Sequence, residues 1–431
     1  MAIDNISAYA HLTDEDIAEI GRRLDAIKAE VEADLGARDV AYIKNLIRFQ
    51  RGVEVAGRAA LLFSHKKPFF WAGASLLGLS KILENMEIGH NVIHGQWDWM
   101  NDPEIHSTTW EWDMTCPSSQ WMHSHNFVHH KYTNILGMDN DVGYGILRVT
   151  RDRKWSPFFL AQPVTNFLLA TLFQWAVAFY DVELGRLMAG KTTWEKTKPA
   201  FMEVVHKSKR QVIKDYVLFP ALSGKNFGST LKANIVANLI RNYGSYAVIF
   251  CGHFPDETET FTKKQYETED HNQRYLRQML GSANFYGGKI LTILSGNLNY
   301  QIEHHLFPDM PSNRLAEAGR KVQAICEEFD LPYNVDSFPA QLLKVQRTLL
   351  KLSLPNHLLA ADRHNAPEVR SNEGMSRVAD SLHVGRDASG RRKGLAPGLK
   401  LLAELRPTVK EGARFLVDAL TGHKPVRQLS R

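Results

Sequence analysis

Three histidine boxes constrain this chain more than any other feature. The first, GHNVIHG, holds His90 and His94; the second, HSHNFVHH, holds His125, His129 and His130; the third, QIEHH, holds His304 and His305. On a helix, residues three and four apart share a face. His90 therefore pairs with His94, and His125 with His129, while Gln301 shares a face with both His304 and His305. Adjacent histidines are poor core filler, because each buried ring nitrogen needs a partner. One HxxxH is weak as a signal, but three boxes beside apolar segments point to metal. Seven imidazoles exceed what one tetrahedral zinc requires. They suit two metals that accept nitrogen and keep open positions, and iron fits best where the chemistry uses dioxygen.

Other metal readings fare worse. A zinc protease needs HExxH, and neither HNVIH nor HNFVH has that glutamate. A metal transporter needs polar residues within several spans, whereas these boxes sit at span ends or in caps. The non-enzyme alternative is a metal-binding membrane protein.

Apolar segments flank the boxes. Residues 68–90 reach roughly 34 Å as a helix, enough to cross a bilayer core, although Lys81, Glu84 and Glu87 interrupt them. Residues 52–64 are weakly apolar and offer a partner arm. Residues 158–180 and 229–253 are apolar again, and 212–222 form a short, weaker run. The boxes must lie on one side of the membrane to meet, so an even number of crossings separates the second from the third. Either 158–180 crosses with 229–252, or 158–180 lies along the interface and 210–224 crosses instead. The first pairing sends the nine Lys and Arg of 181–228 to the far side, against the positive-inside preference. The second keeps most of that charge with the boxes.

Composition sets outer bounds. The 431 residues are 44% hydrophobic and 10% aromatic, which argues against a disordered chain. A mean hydropathy of -0.29 argues against a densely embedded transporter. The net charge of +5 belongs to the C-terminal tail, where 14 Lys and Arg face 8 Asp and Glu from Pro355 onward. That tail is rich in Gly, Pro, Ser and Arg and reads as mostly disordered, with no nucleic-acid partner implied. Cys116, Cys251 and Cys326 are far apart, so a reducing compartment is expected. The acidic N-terminus lacks a secretory h-region. Thr13 reads as an N-cap, with an amphipathic helical region running to about Gln50. No Walker A loop or Rossmann fingerprint is present, and GSANFYGG lacks the strand-loop-helix context of a phosphate loop.

The order HxxxH, HxxxHH, QxxHH, with IEHHLFP around the last box, resembles the membrane fatty acid desaturases. The similarity runs from about Ile82 to Leu315. ENMEIGHNVIHGQWDWMNDPEIHS and HNFVHHKYTNILGMDNDVGYG are especially similar to the bacterial NADPH-dependent stearoyl-CoA Δ9 desaturases.

This resemblance implies an all-α integral membrane protein, multi-pass, with about four transmembrane helices in two hairpins (52–66 with 68–89, 210–224 with 229–252). A cytoplasmic helical cap would hold a histidine-rich diiron site. The expected domains are a helical N-terminal region over 1–50, a desaturase domain over 51–354 and a basic tail over 355–431. The implied ligands are His90, His94, His125, His129, His130, His304 and His305, with His253 of IFCGHFPD standing where many members have an eighth. Gln301, a histidine in part of the family, and His106 are further candidates, while His123 lies outside the pattern.

The implied cofactors are two iron ions cycling between Fe2+ and Fe3+, with O2 as co-substrate. The implied substrate is a long-chain acyl-CoA such as stearoyl-CoA, desaturated at Δ9, or an acyl-lipid, with membrane lipids as a further partner. No fused haem, flavin or nicotinamide motif is present, so a separate NADPH-dependent flavin or iron-sulfur reductase, or a ferredoxin, is expected to supply electrons. A membrane diiron hydroxylase shares the same motifs and is the alternative. Glu87, Asp113, Asp139, Asp141 and Glu303 are candidate acceptors for imidazole N–H groups. Trp97, Trp99, Trp110 and Trp112 are candidates for an acyl slot or an interfacial belt.

Overall fold

The computed structural model describes residues 6, 8–179, 182, 184, 187 and 190–359; the basic tail expected from 355 therefore lies almost wholly outside the described residues. Helix α1, Asp14–Ala33, starts where its sequence says it should. The Thr13 hydroxyl accepts from the Asp16 backbone N–H at 3.1 Å, and Asp16 reaches back to the Thr13 N–H at 2.9 Å. Such a cap is worth about 1 kcal/mol. Ile17, Ile20, Leu24, Ile27 and Val31 recur at helical spacing and are buried. The N-terminal region is two helices rather than one. Asp34 ends α1, and α2 (Ala37–Leu61) restarts after Gly36 and runs unbroken past residue 50.

Helix α3, Lys67–Ile82, packs back along α2. It continues through Leu83–His90, where the turn widens to π-type, and on to Ile93. Close packing demands small residues here. A Cβ at Gly73 would meet Leu61 at 2.5 Å, and one at Gly78 would meet Ile240 at 2.8 Å. Helix α4 starts at Ser118–Trp121 and widens likewise over Met122–His129 before ending at Tyr132. Widened turns of this kind recur at functional sites, and these two carry the first and second boxes.

Residues 158–180 do not form one span. Helix α5, Gln162–Thr171, breaks at Leu172 before a short helix over Phe173–Ala178. At ten residues α5 is about 15 Å long, too short to cross a bilayer. Helix α6, Trp194–Val212, continues to Leu222 through another widened turn, and α7, Phe227–His253, is 27 residues long. Among the described residues no helix is both long and apolar enough to cross a membrane. The expected transmembrane spans are not met in that simple form, and the reason is composition. Helix α7 has the length but carries Lys232, Asn234, Asn238, Arg241 and Asn242, and α3 carries Lys81.

Apart from the exposed Lys232, those polar groups face inward. Lys81 is bonded to Asp215 at 2.9 Å and to Asp113 at 3.0 Å, and Arg58 to Asp215 at 3.3 Å. Asn238 also donates to Asp215, and Arg241 is fully buried beside Asn238 and Asn242.

The remaining helices form a cap. Helices α8 (His271–Gly281), α9 (Gln301–Leu306) and α10 (Leu315–Glu328) pack with α1 around Ile20, Leu24, Leu276, Ile302 and Val322. Helix α11, Phe338–Leu352, closes the described chain against α7. The only strands among the described residues are β1 (Asn284–Tyr286) and β2 (Val335–Ser337), which pair in parallel with Asn284 opposite Val335. Gly287 and Gly288 of GSANFYGG thus follow a strand after all, but the helix beyond them, Lys289–Leu294, has six residues.

Candidate metal centre

The three boxes and the end of α7 meet in one buried cluster. His90 and His94 come from the extension of α3, His125, His129 and His130 from α4, His304 and His305 from α9, and His253 is the last residue of α7. The imidazoles divide into two groups. The ligand atoms of His90, His94, His125 and His304 lie within 4.8 Å of one another, as do those of His129, His253 and His305. His130 stands between them, its ring centroid 4.7 Å from His94, 4.8 Å from His304 and 4.5 Å from His305. The carboxylate of Asp141 completes a further set with His125 and His129.

The donor set fits metal. Buried ring nitrogens of His94, His129, His130, His253, His304 and His305 have no hydrogen-bond partner within the protein. Leaving a buried polar atom unpaired costs about 1–3 kcal/mol, so a dense group of them calls for coordination. Their protonation agrees. Burial, reinforced by neighbouring imidazoles, pushes His94, His125, His130, His253, His304 and His305 well below the ordinary histidine value. Burial likewise takes His90 down to about 4. These rings are neutral at pH 7, the form a metal requires. His129 goes the other way. Burial alone would lower it, but Asp139 and Asp141 outweigh that and raise it to about 9.

Outer partners hold the rings in place. Asp139 lies 3.1 Å from His129 Nδ1, and Asp141 3.6 Å from His125 Nδ1. Asn91 faces His90 Nδ1 at 3.0 Å, while Gln278 and Thr133 face His305 Nδ1 at 3.1 and 3.3 Å. Gln301 Nε2 sits 3.2 Å from His253 Nε2, leaving its own Oε1 unpaired. Gly252 makes room for it, since a Cβ there would lie 2.8 Å from Gln301 Cγ.

Several expected residues lie elsewhere. His106 is bonded to Thr108 and faces Asp98, apart from the cluster, and His123 stacks on Phe127. Glu87 accepts from Tyr42, Asn297 and Ser312 rather than from an imidazole. Asp113 is held by Lys81, Lys214 and Gln211. Glu303 accepts from Asn284 and Tyr333, and Asn284 Oδ1 takes the Ile302 N–H at 2.8 Å, so β1 fixes the backbone of the third box. Trp97 is buried against Tyr42, and Trp99 is exposed.

A small apolar pocket abuts His90. Met86, Trp112, Met114, Trp121, Phe173 and Ile249 line it. Trp121, which the motif reading missed, stacks on His125 at 4.3 Å with an interplanar angle of 21°. Its position one helical turn before His125 was the available signal.

Comparison with known proteins agrees with this geometry. A family model described as fatty acid desaturase matches residues 67–337. The NADPH-dependent stearoyl-CoA 9-desaturase of Mycobacterium tuberculosis is 53% identical over 399 residues, covering 92% of this chain and 93% of that protein. The sn-1 linoleoyl-lipid 6-desaturase of Synechocystis is 25% identical over 279 residues, 61% of this chain and 74% of its own. The Delta(8)-fatty-acid desaturase of Euglena gracilis is 25% identical over 278 residues, 61% and 63% respectively.

Proposed function

The chain belongs to the fatty acid desaturase family, and on that footing we propose that it places a double bond at C9 of a stearoyl-CoA-like thioester. The reaction takes two hydrogens from adjacent methylenes, with O2, two electrons and two protons, and yields the alkene and two waters. The observation that carries this reading is the division of buried, neutral imidazoles into two neighbouring groups with an apolar pocket against one of them. We assign His90, His94, His125 and His304 to one iron, His129, His253 and His305 to the other, and His130 to the space between. Gln301 orients His253. Bound iron would supply what side chains lack, the power to remove hydrogen from an unactivated methylene with dioxygen.

The protein supplies position. Met86, Trp112, Trp121 and Phe173 offer the acyl chain a dry surface beside His90 and hold a chosen pair of carbons near it. Asp139 and Asp141 keep the His129 and His125 rings turned so that Nε2 faces inward. The chain length and double-bond position are drawn from the Mycobacterium tuberculosis relative's name.

A membrane position is supported by which residues face out. Leu62, Phe63, Phe69, Trp71, Val217 and Leu222 are exposed along α2, α3 and the α6 extension, while the same bundle buries Lys81, Asp215 and Arg241. Polar groups inside and apolar groups outside are what lipid demands. We read α2 with α3, and the α6 extension with α7, as two hairpins within the desaturase domain of 51–354. The cap then lies on the cytoplasmic side and α5 along the interface.

The test is product analysis. The chain, supplied with stearoyl-CoA, O2, NADPH and a reductase, should yield an acyl chain unsaturated between C9 and C10 by gas chromatography and mass spectrometry. A hydroxylated acyl chain instead would assign the site to the hydroxylase class.

A further inference from the structure

His130 lines an open cleft of about 470 Å³ on the cap side, with Phe127, Lys131, Tyr266, His271 and Arg274 around it. It is also the imidazole that adjoins both groups. A path through this ring is therefore a short way from the surface to either metal.

The cleft is unlike the pocket at His90. Its lining is charged and offers no slot for an acyl chain. Its acids are engaged internally: Glu269 binds Arg277 at 2.5 Å, and Asp270 caps α8 by accepting the Gln273 N–H. Two of its cations are not engaged in the same way. Lys131 and Arg274 have no carboxylate partner among the described residues, and the Arg274 Nε has no hydrogen-bond partner. Lys131 rests 5.3 Å from the rings of Phe127 and Tyr132. Phe127 itself is 56% exposed. An exposed aromatic ring beside unpaired cations, above a buried redox centre, fits a small transient interface steered by charge.

We propose that this cleft is where the electron donor docks, and that the donor is an acidic one-electron iron-sulfur carrier passing its electron by way of the His130 imidazole. The proposal rests on the desaturase reading. Each encounter oxidises the carrier by one electron, and two encounters would deliver the two electrons that the desaturation consumes. No bond forms or breaks at His130; the electrons end in water, with two protons from solvent.

The experiment uses the full chain in lipid nanodiscs and, as probe, an acidic plant-type [2Fe–2S] ferredoxin kept reduced by NADPH and its reductase. The double variant Lys131→Glu, Arg274→Glu should associate with the ferredoxin at least about tenfold more slowly, with the salt dependence of the unaltered chain lost or reversed. Its iron content, its KM for stearoyl-CoA and its single-turnover yield, measured after dithionite reduction, removal of excess reductant and addition of O2, should match the unaltered chain. Unchanged association, or no measurable association with the unaltered chain, overturns the proposal. So does a raised KM for stearoyl-CoA with normal ferredoxin binding, which would give the two cations to the phosphates of the thioester. If the unaltered chain, reduced with dithionite, freed of excess reductant and then given O2, forms no alkene, the desaturase reading fails instead, and the binding arm would still decide the docking site.

Discussion

Asp139 binds His129 and its own loop at once: one carboxylate oxygen lies 3.1 Å from His129 Nδ1, while the two oxygens accept the backbone N–H groups of Asn134 and Asp141, each at 2.8 Å. The loop after the second box is thus tied through Asp139 to the ring it must aim. Asp139→Ala should weaken metal binding about 10–100-fold, as measured by competition with a chelator of known affinity. Unchanged affinity would show that the His129 ring is held by packing alone.

The same pair sets a pH dependence. His129 is raised to about 9 without metal, while the other cluster histidines lie well below 7. At pH 8 His129 carries a proton that metal must displace, and the rest do not. Uptake of Co2+ should therefore release about one proton. Affinity should rise with pH up to about 9 and then level, because a group with a raised value holds its proton below it. Calorimetry in two buffers of different ionisation enthalpy reads the proton count. In Asp139→Asn the count should fall, and an unchanged count would refute the coupling.

Lys81 is 3% exposed and joins Asp215, 1% exposed, to Asp113. Burial alone would raise the Asp113 carboxyl, but Lys81 and Lys214 outweigh it and hold it well below the usual range. Lys81→Met takes a cation from the buried Asp215 and the half-buried Asp113, which keep Arg58 and Lys214, and should cost less than the about 3–5 kcal/mol of a fully unpaired buried charge, seen as a lowered thermal midpoint in detergent. Adding Asp215→Leu should recover part of the loss. A midpoint within error of the unaltered chain would mean that Arg58 and Lys214 carry the network without Lys81.

His253 ends α7 with its ring 5.0 Å from His305 and 4.8 Å from His129. His253→Ala should lose activity as severely as His304→Ala, whereas replacing the exposed His65 should do little. Most of the activity surviving in His253→Ala would move its ligand role to another group, with Gln301 the nearest.

The sequence shows how far such a site can be read from residue spacing. The boxes were legible because histidines three and four apart must share a helix face, and the Thr13 cap because Asp16 follows it by three. The partners of the rings were less so. Asn91 sits inside the first box at a position the histidine spacing leaves unread, and Gln278 belongs to no motif and reaches His305 only because α8 packs against α9. Among the carboxylates near the boxes, Asp139 and Asp141 face imidazoles, but Glu87, Asp113 and Glu303 are claimed by Tyr42, Lys81 and Tyr333, residues distant in sequence. The spans blurred for a similar reason. Hydropathy counts Lys81 and Arg241 against a segment wherever they point, and both point inward.

Two groups of imidazoles hold two metals in this reading, and counting iron decides whether they do. Protein produced with iron and purified without chelator should hold two irons per chain. The variant His253→Ala, His305→Ala should keep one, because His90, His94, His125 and His304 remain together. A single iron in the unaltered chain, or two irons kept in the variant, would contradict the account.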